Sequence, residues 1–268
     1  MNGVNLKSAT IATLCLVFTA AVASAQESAE LAKQLANPVA SLVNVPFQIN
    51  WNGPFGPNDD TRSLINFQPV MPFSMNKDWN FIARVIVPVL SQPPLVAGET
   101  ARFGISDVLF SAFISPAQPK GVIWGIGPVV SLPMSSDPYI GSGKLGVGPT
   151  ALVLKQSGQV TMGALVNHVF SVAGSDAMGD VNQTFLQPFL SYGTKTGWTY
   201  SINTESVANW EAASGEQWTV PIIGGVSKVV RLGKRPMSVG GNYGYYVAKP
   251  DGGPSWKLRA SLTLLFPK

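Results

Sequence analysis

The sequence predicts an all-β protein, a transmembrane antiparallel β-barrel of about twelve strands with a short N-terminal helix. Three observations carry this expectation. An export signal opens a chain that has no later apolar run of the ~18 residues a membrane helix needs. Apolar and polar residues alternate with period two along most of the chain. The connections between those segments alternate between long and short, the order required of a barrel with both termini on one side.

Lys7 precedes the apolar core Ile11 to Val22, and the small residues Ala23, Ser24 and Ala25 then stand before Gln26. Cleavage is therefore expected after Ala25, and residues 1–25 read as a signal peptide. The single cysteine, Cys15, falls inside it, which leaves the mature chain without a disulfide, a thiol nucleophile or a cysteine-ligated metal. Charged residues make up 12% of the chain against ~25% in soluble domains, and the mean hydropathy is +0.20. The net charge of +4 arises from 18 basic and 14 acidic side chains scattered without the Lys/Arg stripe that nucleic acid requires, so that partner is excluded. An exported, apolar-rich chain without a spanning helix satisfies its backbone in lipid only by closing a sheet. This predicts the outer membrane of a Gram-negative cell, with outer-membrane lipid and the barrel insertion machinery as partners.

Residues 26–40 form the N-terminal helical segment. The helix is expected over Glu27 to Ala36, with Leu31 and Leu35 one turn apart and Pro38 behind to end it. A two-leucine stripe does not decide between a plug in the lumen, a cap on the rim and a tether. The barrel is assigned to residues 41–268. Its first strand, Val43 to Trp51, places Val43, Val45, Phe47, Ile49 and Trp51 on one face and Asn44, Pro46, Gln48 and Asn50 on the other. Its last sets Trp256, Leu258, Ala260, Leu262, Leu264 and Phe266 opposite Lys257, Arg259, Ser261 and Thr263, so both charges go to the polar side. About ten more such runs begin near Arg62, Trp79, Ala101, Gly121, Lys144, Gln159, Val181, Gly197, Glu216 and Pro236.

The long connections are expected from Asn52 to Thr61, Ser91 to Thr100, Pro133 to Gly143, Gly174 to Asp180, Ala208 to Gly215 and Lys249 to Ser255. The short ones run from Ser74 to Asp78, Pro116 to Lys120, Gln156 to Ser157, Gly193 to Thr196 and Gly233 to Arg235. Long loops would face the outside and tight turns the periplasm. Indole rings prefer the level of the lipid headgroups and gather at strand ends. Trp79, Trp124 and Trp198 are accordingly assigned to a periplasmic girdle and Trp51, Trp218 and Trp256 to an outer one, with Trp210 in a long loop. A soluble β-sandwich also alternates, but it accounts for neither the girdles nor the loop asymmetry.

The polar parity collects Arg84, Asp107, Glu205 and Arg259, together with Gln48, Asn80, Gln187, Ser201 and Asn203. Facing inward spares an Arg or Lys the ~2–4 kcal/mol it costs against lipid at midplane. The candidate lumen-lining, selectivity-setting residues are Arg84, Asp107, Glu205, Arg259, Gln187 and Asn203. The two basic and two acidic members fit a structural ion-pair network equally well. The same wall carries Ile82, Ile86, Leu90, Leu109, Phe113, Phe185 and Phe189, a mixture suited to a narrow slot for small amphipathic or aromatic solutes. Barrel width grows with strand number, so about twelve strands leave more room than eight and less than a general porin.

No catalytic residue, cofactor or metal is assigned. Gly141 to Gly146 spells G-x-G-x-x-G, but it follows a Pro/Ser-rich loop and opens a strand rather than a helix, so its glycines serve a loop and a tight wall. His168 is the sole histidine, and Ser171, three residues on, falls on the opposite face of an ideal strand. His168 is therefore expected to be an interfacial or wall hydrogen-bonding residue.

The stretches Phe103 to Asp107 (FGISD), Trp124 to Pro128 (WGIGP), Gly141 to Pro149 (GSGKLGVGP), Asn167-His168, Phe185 to Tyr192 (FLQPFLSY), Asn203 to Ser206 (NTES), Gln217 to Pro221 (QWTVP) and Leu264 to Lys268 (LLFPK) carry a resemblance. Over nearly the whole mature chain the sequence resembles a bacterial family of outer-membrane transporters, grouped with the meta-pathway of phenol degradation proteins and often mislabelled neuromedin U. The resemblance implies an outer-membrane barrel engaged in uptake of small, aromatic or otherwise apolar compounds. Such barrels usually finish on a terminal aromatic. Here Phe266 is followed by Pro267 and Lys268, which shifts the expected insertion signal inward. The expected function is a non-enzymatic channel or transporter for passive uptake of small-molecule solutes. The alternatives are a barrel hydrolase acting on lipid or ester, and a closed structural or adhesive barrel.

Overall fold

Period-two alternation sends successive side chains to opposite faces of a strand, so a sheet of such strands is apolar along one whole face. In the structure, a computed structural model that describes residues 25–268 apart from 57, 95, 97, 234 and 268, this sheet closes on itself. The expected signal peptide, residues 1–25, lies outside the described residues except for Ala25, as does Lys268 of the closing motif.

Twelve strands make the wall. They are β1 (Val43–Phe55), β2 (Asp60–Phe67 continued by Val70–Ser74), β3 (Trp79–Gln92), β4 (Arg102–Ile105 continued by Val108–Pro116), β5 (Val122–Leu132) and β6 (Lys144–Ser157). There follow β7 (Val160–Gly174), β8 (Asn182–Gly193), β9 (Trp198–Thr204 continued by Ser206–Asn209), β10 (Trp218–Leu232), β11 (Arg235–Ala248) and β12 (Trp256–Phe266). Every strand is antiparallel to the next, and β12 returns to β1 with Val43 opposite Phe266 and Gly53 opposite Trp256. No helix among the described residues is long and apolar enough to cross a membrane. The outward row, including Phe47, Ile49, Ile126, Val153, Ile202 and Leu262, stands exposed around the barrel. Such a belt is unfavourable in water and favourable in lipid.

Trp79 and Trp124 meet edge to face at 5.9 Å near the short-turn end, and Trp198 opens β9 at that same end with Lys228 over its ring. Trp218 and Trp256 open β10 and β12 at the long-loop end, and Trp51 lies in the long-loop half of β1. Trp210 follows β9 directly, packs on Trp218 at 5.9 Å and donates from its indole nitrogen to Thr184 Oγ1.

The first connection differs from expectation. The stretch from Asn52 to Thr61 is not a long loop, because β1 runs on to Phe55 and β2 resumes at Asp60. Tertiary contacts override the turn-rich composition: Asn52 accepts the Tyr246 hydroxyl at 2.9 Å, and Arg62 lies over the buried Phe55 ring at 4.3 Å. Positive φ at Gly56 and Asp59 then closes a tight turn.

The N-terminal helix, α1, covers residues 25–35 and lies within the lumen at the short-turn end. Its apolar stripe buries Leu31 and Ala32 with Leu42 against Val229 of β10 and Leu265 of β12. Burial of each such leucine contributes about 1.5–3 kcal/mol. Polar contacts fix its orientation: Glu27 pairs with Arg231, and Gln156 Nε2 donates to the Lys33 carbonyl at 2.9 Å. Beyond the helix the chain crosses the lumen, and Val39 joins a second cluster on the opposite wall with Val70, Ile82, Phe113, Leu152 and Leu165.

Candidate solute path in the lumen

The long-loop half of the lumen is built around Glu205, which occupies the break in β9. Its two carboxylate oxygens accept from Arg259 Nη1 at 2.7 Å and Nη2 at 2.8 Å, a bidentate pair, while Lys257 Nζ lies 2.5 Å from Oε2. Arg259 Nε donates in turn to Asn50 Oδ1 at 2.6 Å. Register explains the meeting, since Asn50 stands opposite Arg259 across the β12–β1 closure.

The four-charge network expected from parity is a different set of groups. Glu205 and Arg259 come together with Lys257, but Arg84 and Asp107 stay apart from them. Asp107, in the break of β4, accepts both the backbone amide and the hydroxyl of Ser142 through Oδ2 at 2.6 Å. It thereby ties down the loop between β5 and β6, and its Oδ1 is buried without a partner. Arg84 Nη2 donates to Gln68 Oε1 at 3.0 Å, and Gln68 Nε2 donates to Gln48 Oε1 at 3.2 Å. Gln187 faces a cavity beside α1, and Asn203 has a buried amide oxygen with no partner.

Cavities run along this interior. One of about 360 Å³ opens at the short-turn rim between α1 and the β6–β7 and β8–β9 turns, lined by Lys33, Gln159 and Lys195. It shares Ala32, Ala36, Ser191 and Thr199 with a second of about 240 Å³ that reaches Gln187 and Ser201. The second shares Leu35, Ser201, Ser227 and Ser238 with a third of about 250 Å³, bounded by Gln48 and Asn242. A fourth, of about 290 Å³, lies beyond Arg84 toward the long loops. The bonded chain Gln48, Gln68, Arg84 joins the wall of the third to the wall of the fourth.

Sequence parity pointed to Arg84, Glu205 and Arg259 but missed Gln68, Arg62 and the partnership of Lys257 with Glu205. Lys257 and Asn50 share the parity of Arg259 and were legible on that ground. Gln68 was not, because it sits in the break between the two parts of β2, where alternation gives no face.

The G-x-G-x-x-G stretch makes a loop and the start of β6, with positive φ at Gly143. His168 Nδ1 lies 2.9 Å from Thr184 Oγ1 with its ring near Phe170, whereas Ser171 Oγ donates to Asp180 Oδ1. Asp180 also pairs with Lys144 at 3.1 Å. Hydrogen bonds from Lys144 and Ser171, with the Lys144 charge, hold the Asp180 carboxyl below its ordinary value of 3.8. A depressed folded value means the contact holds the β7–β8 loop fully above that ordinary value and is lost as pH falls through the lower folded one. The protection factor of amides in this loop, the exchange rate corrected for its intrinsic pH dependence, is therefore expected to stay constant from neutrality down to about pH 4 and to fall on further acidification. The variant Asp180→Asn should show low protection throughout.

Among solved structures, the chain is similar to an outer membrane channel from Pseudomonas putida F1, with a TM-score of 0.64 and 11% identity over 84% of this chain and 94% of that one. Weaker overlaps are with OpdK of Pseudomonas aeruginosa, solved with vanillate (TM-score 0.26, 9% identity, 84% of this chain and 98% of that one), and a BenF-like porin from Pseudomonas fluorescens Pf-5 (0.27, 8%, 84% and 98%). No family model matches the chain, and no curated protein matches it. The closed barrel of twelve antiparallel strands thus has the fold of an outer-membrane channel.

Proposed function

We propose that this protein is a passive outer-membrane channel for small solutes with an apolar or aromatic body, in line with the resemblance to the meta-pathway-associated transporters. The observation that carries the reading is the string of wall-sharing cavities from the short-turn rim, past α1, to the Gln48–Gln68–Arg84 chain. A structural barrel gains nothing from such voids, since each forfeits packing energy. The barrel would sit in the outer membrane with both termini periplasmic, inserted after removal of residues 1–25. Helix α1 narrows the path without sealing it. Arg84, Glu205, Arg259, Gln187 and Asn203 are proposed to line the path, with Asp107 holding the loop above it.

Conductance of the refolded mature barrel in a planar bilayer tests this. Small discrete steps are expected. Leu31→Asp places a carboxylate in the apolar contact of α1 with Val229 and Leu265, and it should unseat the helix and raise the step size severalfold. Silence in both proteins would overturn the channel reading. Labelling by a serine-directed inhibitor with ester turnover would favour the hydrolase instead.

A further inference from the structure

We propose that the cavity between Arg84 and Phe185 is a binding site for a small anion with an apolar body, single-ring monocarboxylates being the class that fits; this rests on the channel reading above. The cavity has a volume of about 290 Å³ and is walled by Ile86, Leu109, Phe185 and Val207, with Arg84, Asn167 and Gln183 as its polar members. A dry cavity of about 150 Å³ already holds benzene, so one ring and a carboxylate fit with room for a few waters.

Charge accounts for the preference. The guanidinium of Arg84 makes one hydrogen bond, to Gln68, and no ion pair with any described carboxylate. Glu205 attracts it through space but makes no hydrogen bond to it, its oxygens being engaged by Arg259 and Lys257. The interior around the cavity therefore holds Arg62, Arg84, Lys257 and Arg259 against Glu205 and Asp107, an excess of cations that favours an incoming anion. A guanidinium fork matches a carboxylate with two parallel hydrogen bonds, and the apolar wall strengthens the attraction by excluding water. Phe185, across the cavity, offers a ring to stack on. The side chains of Asn167 and Gln183 make no hydrogen bond among the described residues and can take a polar ring substituent.

Titration calorimetry with benzoate, and with benzyl alcohol as its neutral counterpart, tests the site in the refolded full barrel. Benzoate is expected to bind saturably and benzyl alcohol at least about tenfold more weakly. Arg84→Met should remove that difference. Val207→Trp, which fills the cavity and leaves Arg84 in place, should abolish benzoate binding. Arg102→Met, which removes a cation paired with Asp137 at the long-loop end, should leave it intact. Heat-modifiable gel migration confirms that each variant is folded. Equal binding of the two probes, or no change in Arg84→Met, overturns the proposal. Liposome swelling in benzoate separates the two readings. Arg84-dependent binding without flux keeps the site and defeats the channel, whereas flux without such binding keeps the channel and defeats the site.

Discussion

Replacing Glu205 by glutamine is expected to destabilise the folded barrel by about 3–5 kcal/mol, the cost of leaving buried charges without their partner. Lys257, Arg259 and Glu205 keep only 12%, 10% and 17% of their side-chain surface exposed, so water offers the two cations little relief. The amide presents one acceptor where the carboxylate presents two, and it carries no charge. Arg259 would keep Asn50, but Lys257 and Arg259 would repel each other across the vacated position. The guanidinium chloride midpoint of the refolded barrel measures the loss directly. A second measurement isolates the cause: adding Lys257→Met and Arg259→Met to Glu205→Leu should recover most of the stability, because it removes the orphaned charges along with their partner. A Glu205→Gln barrel as stable as the parent would mean that lumenal water solvates the cluster. The same substitution should raise anion selectivity, since it removes the one carboxylate of the cluster and leaves its cations.

The barrel itself was legible because its physics is periodic. Alternation in Val43–Phe55 and Trp256–Phe266 follows from one face meeting lipid, and any reader of period two recovers both strands and their parity. Two kinds of feature escaped. The first connection looked like a loop because Gly53, Pro54 and Gly56 are turn residues, yet Asn52 is held by Tyr246 of the distant β11 and Phe55 by Arg62 across the hairpin. The site was legible only by face. Parity says that Arg84, Asp107, Glu205 and Arg259 share a side of the wall, but which of them touch depends on register across the closure and on the breaks at Gln68, Asp107 and Glu205. Those breaks leave no trace in the alternation pattern. Helix α1 posed the converse problem, since its stripe was visible while its seat is set by Val229 and Leu265, far along the chain.

The repeated G-x-G-P, at Gly125 to Pro128 and again at Gly146 to Pro149, predicts the second large effect. In the β5–β6 pair these two motifs lie side by side, with Pro128 opposite Pro149, so neither residue contributes an amide to the ladder. On the outer flank of each motif the pairing skips: β6–β7 jumps from Val147–Phe170 to Thr150–Asn167, and β4–β5 from Ser111–Val129 to Ile114–Ile126. There the neighbouring backbone bends across a glycine. A Cβ at Gly148 would lie 1.7 Å from the His168 carbonyl oxygen, and one at Gly127 would lie 1.9 Å from that of Ala112. Backbone has no flexible end that can swing aside, so β7 or β4 itself must move. Overpacking typically costs about 1–3 kcal/mol, and Gly148→Ala is expected at or above the top of that range, with a lower refolding yield. Gly224→Ala is the control: nothing lies within 4 Å of its Cβ position, so the substitution should be neutral or slightly stabilising. If Gly148→Ala refolds as well as Gly224→Ala, the bend in the wall is soft. If it fails as expected, the two motifs are what allow strands bearing Phe113 and Asn167 to lean into the lumen, and the width of the path is set by glycine as much as by the side chains that line it.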